Sequence, residues 1–177
     1  WPLSNDIRSK QFIRMLSDEK GGIESMLGRV YRQISTVDPG ARITIATGRK
    51  QVSLIKNQLG DRVNVCVEPC RRDTFPAVCL AASYLRDVQG VEEDESVVVC
   101  PVDPYVDVSY FQALKELTEL AQTGGANLYL MGIEPTYPSE KYGYIIPLSN
   151  ERVSGVATFR EKPGAATAQR YIAQGAL

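Results

Sequence analysis

The chain contains no histidine, which removes Ser-His-Asp and Cys-His nucleophilic chemistry and any histidine general base. Asp, Glu, Lys, Arg and a metal ion remain. That set suits phosphoryl or nucleotidyl transfer, where positioning and charge neutralisation do most of the catalysis. The best-placed carboxylate is Asp103, which closes the run Val97-Val98-Val99-Cys100-Pro101-Val102-Asp103. A short apolar, β-branched run of this kind predicts a strand buried on both faces of a parallel sheet. Ligands of open α/β sheets sit just outside the carboxyl ends of such strands, and Asp is a hard oxygen ligand suited to Mg²⁺ bridging substrate phosphates. Asp103-Pro104 also reads as a turn starter, the plainer alternative.

The elements that must position this carboxylate alternate from residue 24 onward. A helix near 24–36 leads to a strand at 42–46; a helix at 49–58, with Val52, Ile55 and Leu59 on one side, leads to a strand at 63–67. Asp73 or Thr74 caps the next helix, whose Pro76 falls in the first turn, where a missing N–H costs nothing. Val78, Ala82, Leu85 and Val88 give it an apolar face. The acidic run Glu92-Glu93-Asp94-Glu95 is a solvated connection into the Asp103 strand. Asp107 or Ser109 then starts a helix with Val108, Phe111, Leu114, Leu117 and Ala121 at helical spacing, ended by Gly124-Gly125. Strands at 126–132, near 143–147 and at 152–159, and a helix from about 165, complete the chain. The alternation predicts a three-layer α/β/α fold with a mainly parallel sheet that turns antiparallel in the final third.

With 177 residues, 44% of them hydrophobic, the chain can bury a real core and reads most simply as one domain. A net charge of −1 argues against a nucleic-acid partner, which calls for a basic face. No apolar run approaches the roughly 20 residues needed to span a bilayer, and no signal-peptide pattern opens the chain, so a cytoplasmic protein without a membrane partner is expected. Cys66 and Cys100 lie in strand-like runs and Cys79 on a helical apolar face, positions that predict buried, reduced thiols; Cys70 falls in a loop. The spacings match no zinc signature.

Five segments, in this order, resemble the sugar-nucleotide pyrophosphorylases, and most closely the mannose-1-phosphate guanylyltransferases. They are Trp1-Pro2-Leu3-Ser4 running to Ser9-Lys10-Gln11-Phe12; Glu68-Pro69-Cys70-Arg71-Arg72-Asp73-Thr74-Phe75-Pro76-Ala77; Pro101-Val102-Asp103; Tyr142-Gly143-Tyr144-Ile145; and Phe159-Arg160-Glu161-Lys162-Pro163. Each is weak singly; their order and spacing are specific. The resemblance implies a Rossmann-like nucleotidyltransferase fold and the reaction of GTP with mannose 1-phosphate to give GDP-mannose and pyrophosphate, with Mg²⁺. The other readings are a pyrophosphorylase for a different NTP and sugar 1-phosphate, and a non-catalytic nucleotide-sugar-binding regulatory module. The partners expected are GTP and a sugar 1-phosphate, with a homodimer of the intact protein as a further possibility.

Carried over residue by residue, the resemblance makes Lys10 a phosphate-contacting lysine, a mobile point charge. Ser9 stands where the family usually has proline, which leaves the loop less rigid. Glu68, Arg72, Thr74 and Pro76 fall in the nucleotide-holding segment between a strand and a helix N-terminus, where free N–H groups favour anions. Glu68 is suited to accept from the guanine N1–H and N2–H₂ edge. Asp73 replaces the more usual Asn, and Pro104 stands where the guanylyltransferases commonly have histidine. Asp103 matches the metal-binding aspartate. Tyr142, Gly143 and Tyr144 match the sugar-facing segment, Gly143 letting a hexose approach the backbone. Glu161 is expected to bind sugar hydroxyls while Lys162 neutralises the 1-phosphate. Neighbours on a strand face opposite ways, so these two can share a ligand only if the strand ends there, as Pro163 suggests. The family's glycine-rich phosphate loop precedes its Trp-Pro-Leu-Ser segment, and its second metal-binding aspartate follows the last segment. Residues 1–177 are therefore expected to be a partial catalytic domain, truncated at both ends, with Lys10, Asp103 and Lys162 as catalytic groups and little turnover alone.

Overall fold

The computed structural model describes residues 9–18 and 20–177; the Trp1-Pro2-Leu3-Ser4 segment lies outside them. The chain folds as two compact units, one up to Asn127 and one over Leu128–Leu177.

The first unit opens with a single 3₁₀ turn at Lys10–Phe12 and a hairpin of β1 (Arg14–Ser17) and β2 (Ile23–Ser25). Asp18 closes the hairpin, its carboxylate accepting from the amides of Lys20 at 2.9 Å and Gly22 at 2.6 Å. Gly21 takes φ +79°, which a side chain would resist. The hydrophobic pattern passes over this hairpin because its strands are too short and exposed to show a period. Ser25 then caps α1 (Met26–Val37), its hydroxyl accepting from Gly28 N at 3.0 Å, and Leu27 and Val30 turn inward.

Strand β3 (Thr44–Gly48) runs through a 3₁₀ turn at Arg49–Gln51 into α2 (Val52–Leu59) and back to β4 (Asn64–Glu68). The two strands pair in parallel, from Thr44 opposite Asn64 to Gly48 opposite Glu68. Ile55 and Leu59 point inward as their spacing predicts, and with Phe12, Leu27 and Val63 they form the core of this unit. Complete burial of Ile55 alone contributes about 1.5–3 kcal/mol. Asp73 caps α3 (Thr74–Asp87), and Asp107 caps α4 (Val108–Gln122), which buries Phe111 and Leu114.

Three expectations fail here. The Val97–Val99 run forms no ladder, and its valines are 45–64% exposed. A strand needs a hydrogen-bonding neighbour, and the described residues supply none; only Val102, at the end of the run, packs on the core. Residues 126–132 likewise form no strand, with Leu128 and Leu130 exposed. The apolar face of α3 is shallow: the helix buries no residue, Ala82 and Cys79 are exposed, and Val88 lies past its end. All four cysteines are free thiols.

The second unit pairs β5 (Tyr144–Pro147) antiparallel to β6 (Val156–Arg160) and packs α5 (Ala165–Ala173) against them. Its core is Tyr144, Ala168 and Ala176. Ile145 exchanges both backbone hydrogen bonds with Leu177, at 2.8 and 3.0 Å, adding a short third edge. The first amide of α5, on Ala165, donates to the Glu140 carboxylate at 3.0 Å, a cap delivered from 25 residues upstream.

Candidate active site

In the first unit, packing assembles the site. Phe12 and Val102 belong to the same apolar cluster, so the charged residues beside them meet. Lys10 Nζ lies 3.2 Å from Asp103 Oδ2 across 93 positions of sequence. Both side chains are more than half exposed, so the pair contributes only about 0–1 kcal/mol to stability. Its significance is placement: a mobile cation and a hard anionic ligand stand side by side, open to solvent.

Amide side chains hold the lysine's turn. Gln51 donates to Ser9 Oγ at 2.7 Å and accepts from Thr47 Oγ at 2.7 Å, while Gln58 donates to the Phe12 carbonyl at 2.9 Å and accepts from Ser25 Oγ. Thr47 is the penultimate residue of β3, so the Lys10 turn is tied to the carboxyl end of the parallel pair. Glu68 ends β4 beside Gly48 at that same end. The segment after Asp103 is held from α1: Arg29 and Gln33 both donate to the Val106 carbonyl, at 3.1 and 3.0 Å, and Arg29 stacks 4.7 Å from the Tyr105 ring centre. Glu24 orients the arginines of α1, accepting from Arg32 Nη2 at 2.8 Å. Asp107, past this clamp, has its carboxyl held below the usual range by hydrogen bonds from the Ser109 hydroxyl and amide.

Arg72 lies exposed on the turn from β4 into α3, and Thr74 and Pro76 lie exposed in the first turn of that helix. Asp73, at φ +74°, accepts from Thr74 N at 2.8 Å and so occupies part of the helix terminus expected to attract a phosphate. The half-buried Glu68 also acts inward: burial pushes the Cys66 thiol up, and the Glu68 charge adds to that push.

In the second unit, β6 ends at Arg160, and Lys162 takes φ +42°. That break puts both charges on one side, with Lys162 Nζ 2.9 Å from Glu161 Oε1. The Lys162 amide donates to the Tyr142 carbonyl at 3.2 Å, so the two segments adjoin. A Cβ on Gly143 would collide with the Phe159 ring and stand 2.9 Å from Glu161 Oε2. Tyr142 is exposed, but Tyr144 is a correction: it is 2% exposed, and its hydroxyl donates to the Ser139 carbonyl at 3.0 Å. The alternation of a strand turns one tyrosine out and the other into the core.

Among the described residues no group of three or more Cys, Asp or Glu is arranged to hold a metal. One carboxylate, Asp103, is nonetheless the donor set expected for Mg²⁺ bound chiefly through substrate phosphates and water. No helix among the described residues is long and apolar enough to cross a membrane.

A family model described as nucleotidyl transferase matches residues 1–176. The chain belongs to the nucleotidyl transferase family. Within it, the chain is 32% identical over 186 residues to mannose-1-phosphate guanylyltransferase of Escherichia coli, covering 97% of this chain and 38% of that protein. It is 33% identical over 179 residues to the xanthan biosynthesis protein XanB of Xanthomonas campestris pv. campestris strain B100, covering 99% and 36%. A crystal structure of a mannose-1-phosphate geranyltransferase from Thermus thermophilus matches with a TM-score of 0.79 at 31% identity, over 99% of this chain and half of that one. A mannose-6-phosphate isomerase from Helicobacter pylori matches with a TM-score of 0.73 over 96% of this chain and 65% of that one; at 20% identity this speaks for the fold alone. The α/β fold expected from the sequence is therefore that of the nucleotidyl transferases, and the chain spans well under half the length of the two curated relatives named above.

The sequence motifs name none of the residues that hold the site's two segments: Ser25, Thr47, Gln51 and Gln58 at the Lys10 turn, and Arg29 and Gln33 after Asp103. Two glutamines seven apart in a helical stretch, on one face, were the available signal.

Proposed function

We propose that this chain is the core of a nucleotidyltransferase that makes GDP-mannose and pyrophosphate from GTP and mannose 1-phosphate. The Lys10–Asp103 contact carries the reading: cation and carboxylate stand together beside the carboxyl ends of β3 and β4, where α/β sheets bind ligands. The relatives named above favour the guanine nucleotide and the mannose phosphate.

A phosphate oxygen of the sugar 1-phosphate attacks the α-phosphorus of GTP, and pyrophosphate leaves. The nucleophile is already an anion, so a chain without histidine needs no general base. Asp103 would hold Mg²⁺, which would supply positive charge to the reacting phosphates. Lys10 offsets charge developing on the triphosphate, and Lys162 does the same for the sugar phosphate. Glu68 reads the guanine edge, Arg72 and Thr74 hold phosphate oxygens from the β4–α3 turn, and Pro76 shapes that turn. Glu161, Tyr142 and the backbone at Gly143 receive the hexose.

In the full-length protein, Asp103→Asn should reduce turnover at least about 100-fold, the scale of losing one preorganised electrostatic contact, and should abolish Mn²⁺-dependent GTP binding. Near wild-type turnover with Mg²⁺ would refute the assignment. Assaying four NTPs against several sugar 1-phosphates tests the substrates, and a clear preference for ATP, UTP or dTTP would overturn the guanine reading.

A further inference from the structure

The Lys10 turn is weak by itself. A single 3₁₀ turn has poor hydrogen-bond geometry, here Phe12 N to Ser9 O at 3.1 Å and Ile13 N to Lys10 O at 3.2 Å. Its two ends are secured differently. Phe12 is buried in the core at 8% exposure, and Gln58 only adds a bond to its carbonyl. Ser9 has no such apolar anchor; its hydroxyl is held by Gln51, which is itself oriented by Thr47, 5% exposed at the end of β3.

We propose that Gln51 is a positioning residue: it transmits the placement of β3 to Lys10 by pinning Ser9, so that the ammonium is preorganised for a triphosphate. This rests on Lys10 being a phosphate contact, as proposed above. The relay is directional. Thr47 donates to the amide oxygen, which leaves the amide nitrogen as the donor to Ser9; a carboxylate or thioether at 51 breaks that order. Ser9 sits at φ −73°, ψ 150°. That φ lies within the range a proline ring enforces, about −65 ± 15°. A proline at 9 therefore restricts the same dihedral covalently that Gln51 restricts by hydrogen bonding, and it can substitute for the lost bond.

The test uses the full-length protein with GTP and mannose 1-phosphate. Gln51→Met should raise KM for GTP about 3- to 10-fold, the range expected for one lost hydrogen bond, with kcat within about twofold and KM for the sugar phosphate unchanged. Adding Ser9→Pro to Gln51→Met should bring KM for GTP back to within about twofold of wild type. An unchanged KM in Gln51→Met, or a raised KM that Ser9→Pro fails to restore, overturns the proposal. If Gln51→Met lowers the melting temperature markedly, Thr47→Val, which removes only the orienting hydroxyl, replaces it with the same criteria. Lys10→Ala separates the two readings: it should raise KM for GTP at least as much as Gln51→Met. A wild-type KM in Lys10→Ala would remove Lys10 from the phosphates, whatever Gln51 does.

Discussion

Tyr144 is matched to a sugar-facing motif yet packed in a core, and one substitution separates the two roles. Tyr144→Phe keeps the ring against Tyr171, 6.2 Å away centre to centre, and removes only the hydroxyl that donates to the Ser139 carbonyl at 3.0 Å. That bond is buried, so its loss forfeits a net ~1 kcal/mol and leaves a carbonyl unsatisfied, for about 1–2 kcal/mol in all. Removing the ring in Tyr144→Ala costs about 3–5 kcal/mol, because Ala168 and Ala176 are too small to refill the space. At about 2–4 °C per kcal/mol for a protein of this size, Tyr144→Phe should lower the melting transition by a few degrees. Thermal melts followed by near-ultraviolet circular dichroism would read it. Steady-state kinetics should show KM for mannose 1-phosphate unchanged. An unaltered melt together with a tenfold rise in that KM would refute the placement of Tyr144 in the core and return it to the sugar site.

Gly143→Ala should do the reverse. The new Cβ collides with the Phe159 ring and crowds Glu161 Oε2, and because both side chains are more than half exposed they can swing aside at little cost in stability. Losing the charge-assisted contact proposed for Glu161 should raise KM for the sugar phosphate about 10-fold; an unchanged KM argues against that role. Thiol labelling should find Cys70 and Cys79 modified first, since both are exposed. Cys66 should react last: it is buried, and burial with the Glu68 charge holds its thiol above the ordinary range, so less thiolate is present at any pH. Mass spectrometry of a time course checks the order.

How much the sequence reveals depends on whether an element is self-sufficient. Helices that carry their own period and cap are legible: Asp107 does cap α4, and Ile55 and Leu59 do face inward, because local spacing determines both. The parallel strands are legible to within one or two residues, since their apolar runs coincide with their ladder. The Val97–Val99 run misleads because hydrophobicity reports that a strand should be covered, not whether a neighbour covers it. The hairpin at 14–25 is missed for the opposite reason: Asp18 and Gly21 make it, and its strands are mostly exposed. At the site, charges in motifs are legible, and so is a strand end before Pro163; β6 stops at Arg160, and the positive φ of Lys162 lets Glu161 and Lys162 share a side. The glutamine relay is not legible, because a spacing of seven puts Gln51 and Gln58 on one face without naming Ser9 and Phe12, some forty residues away, as their partners.

The exposed valines also bear on solubility. Val97, Val98 and Val99 are the kind of β-branched, uncharged segment that stacks into cross-β assemblies when left uncovered. The four acidic residues just upstream, Glu92 to Glu95, lie exposed on its flank. In stacked copies spaced about 4.8 Å apart, those carboxylates would repel one another in every layer. Neutralising Glu92 to Glu95 should therefore promote self-association of this chain, read by light scattering, while leaving the Lys10–Asp103 contact in place.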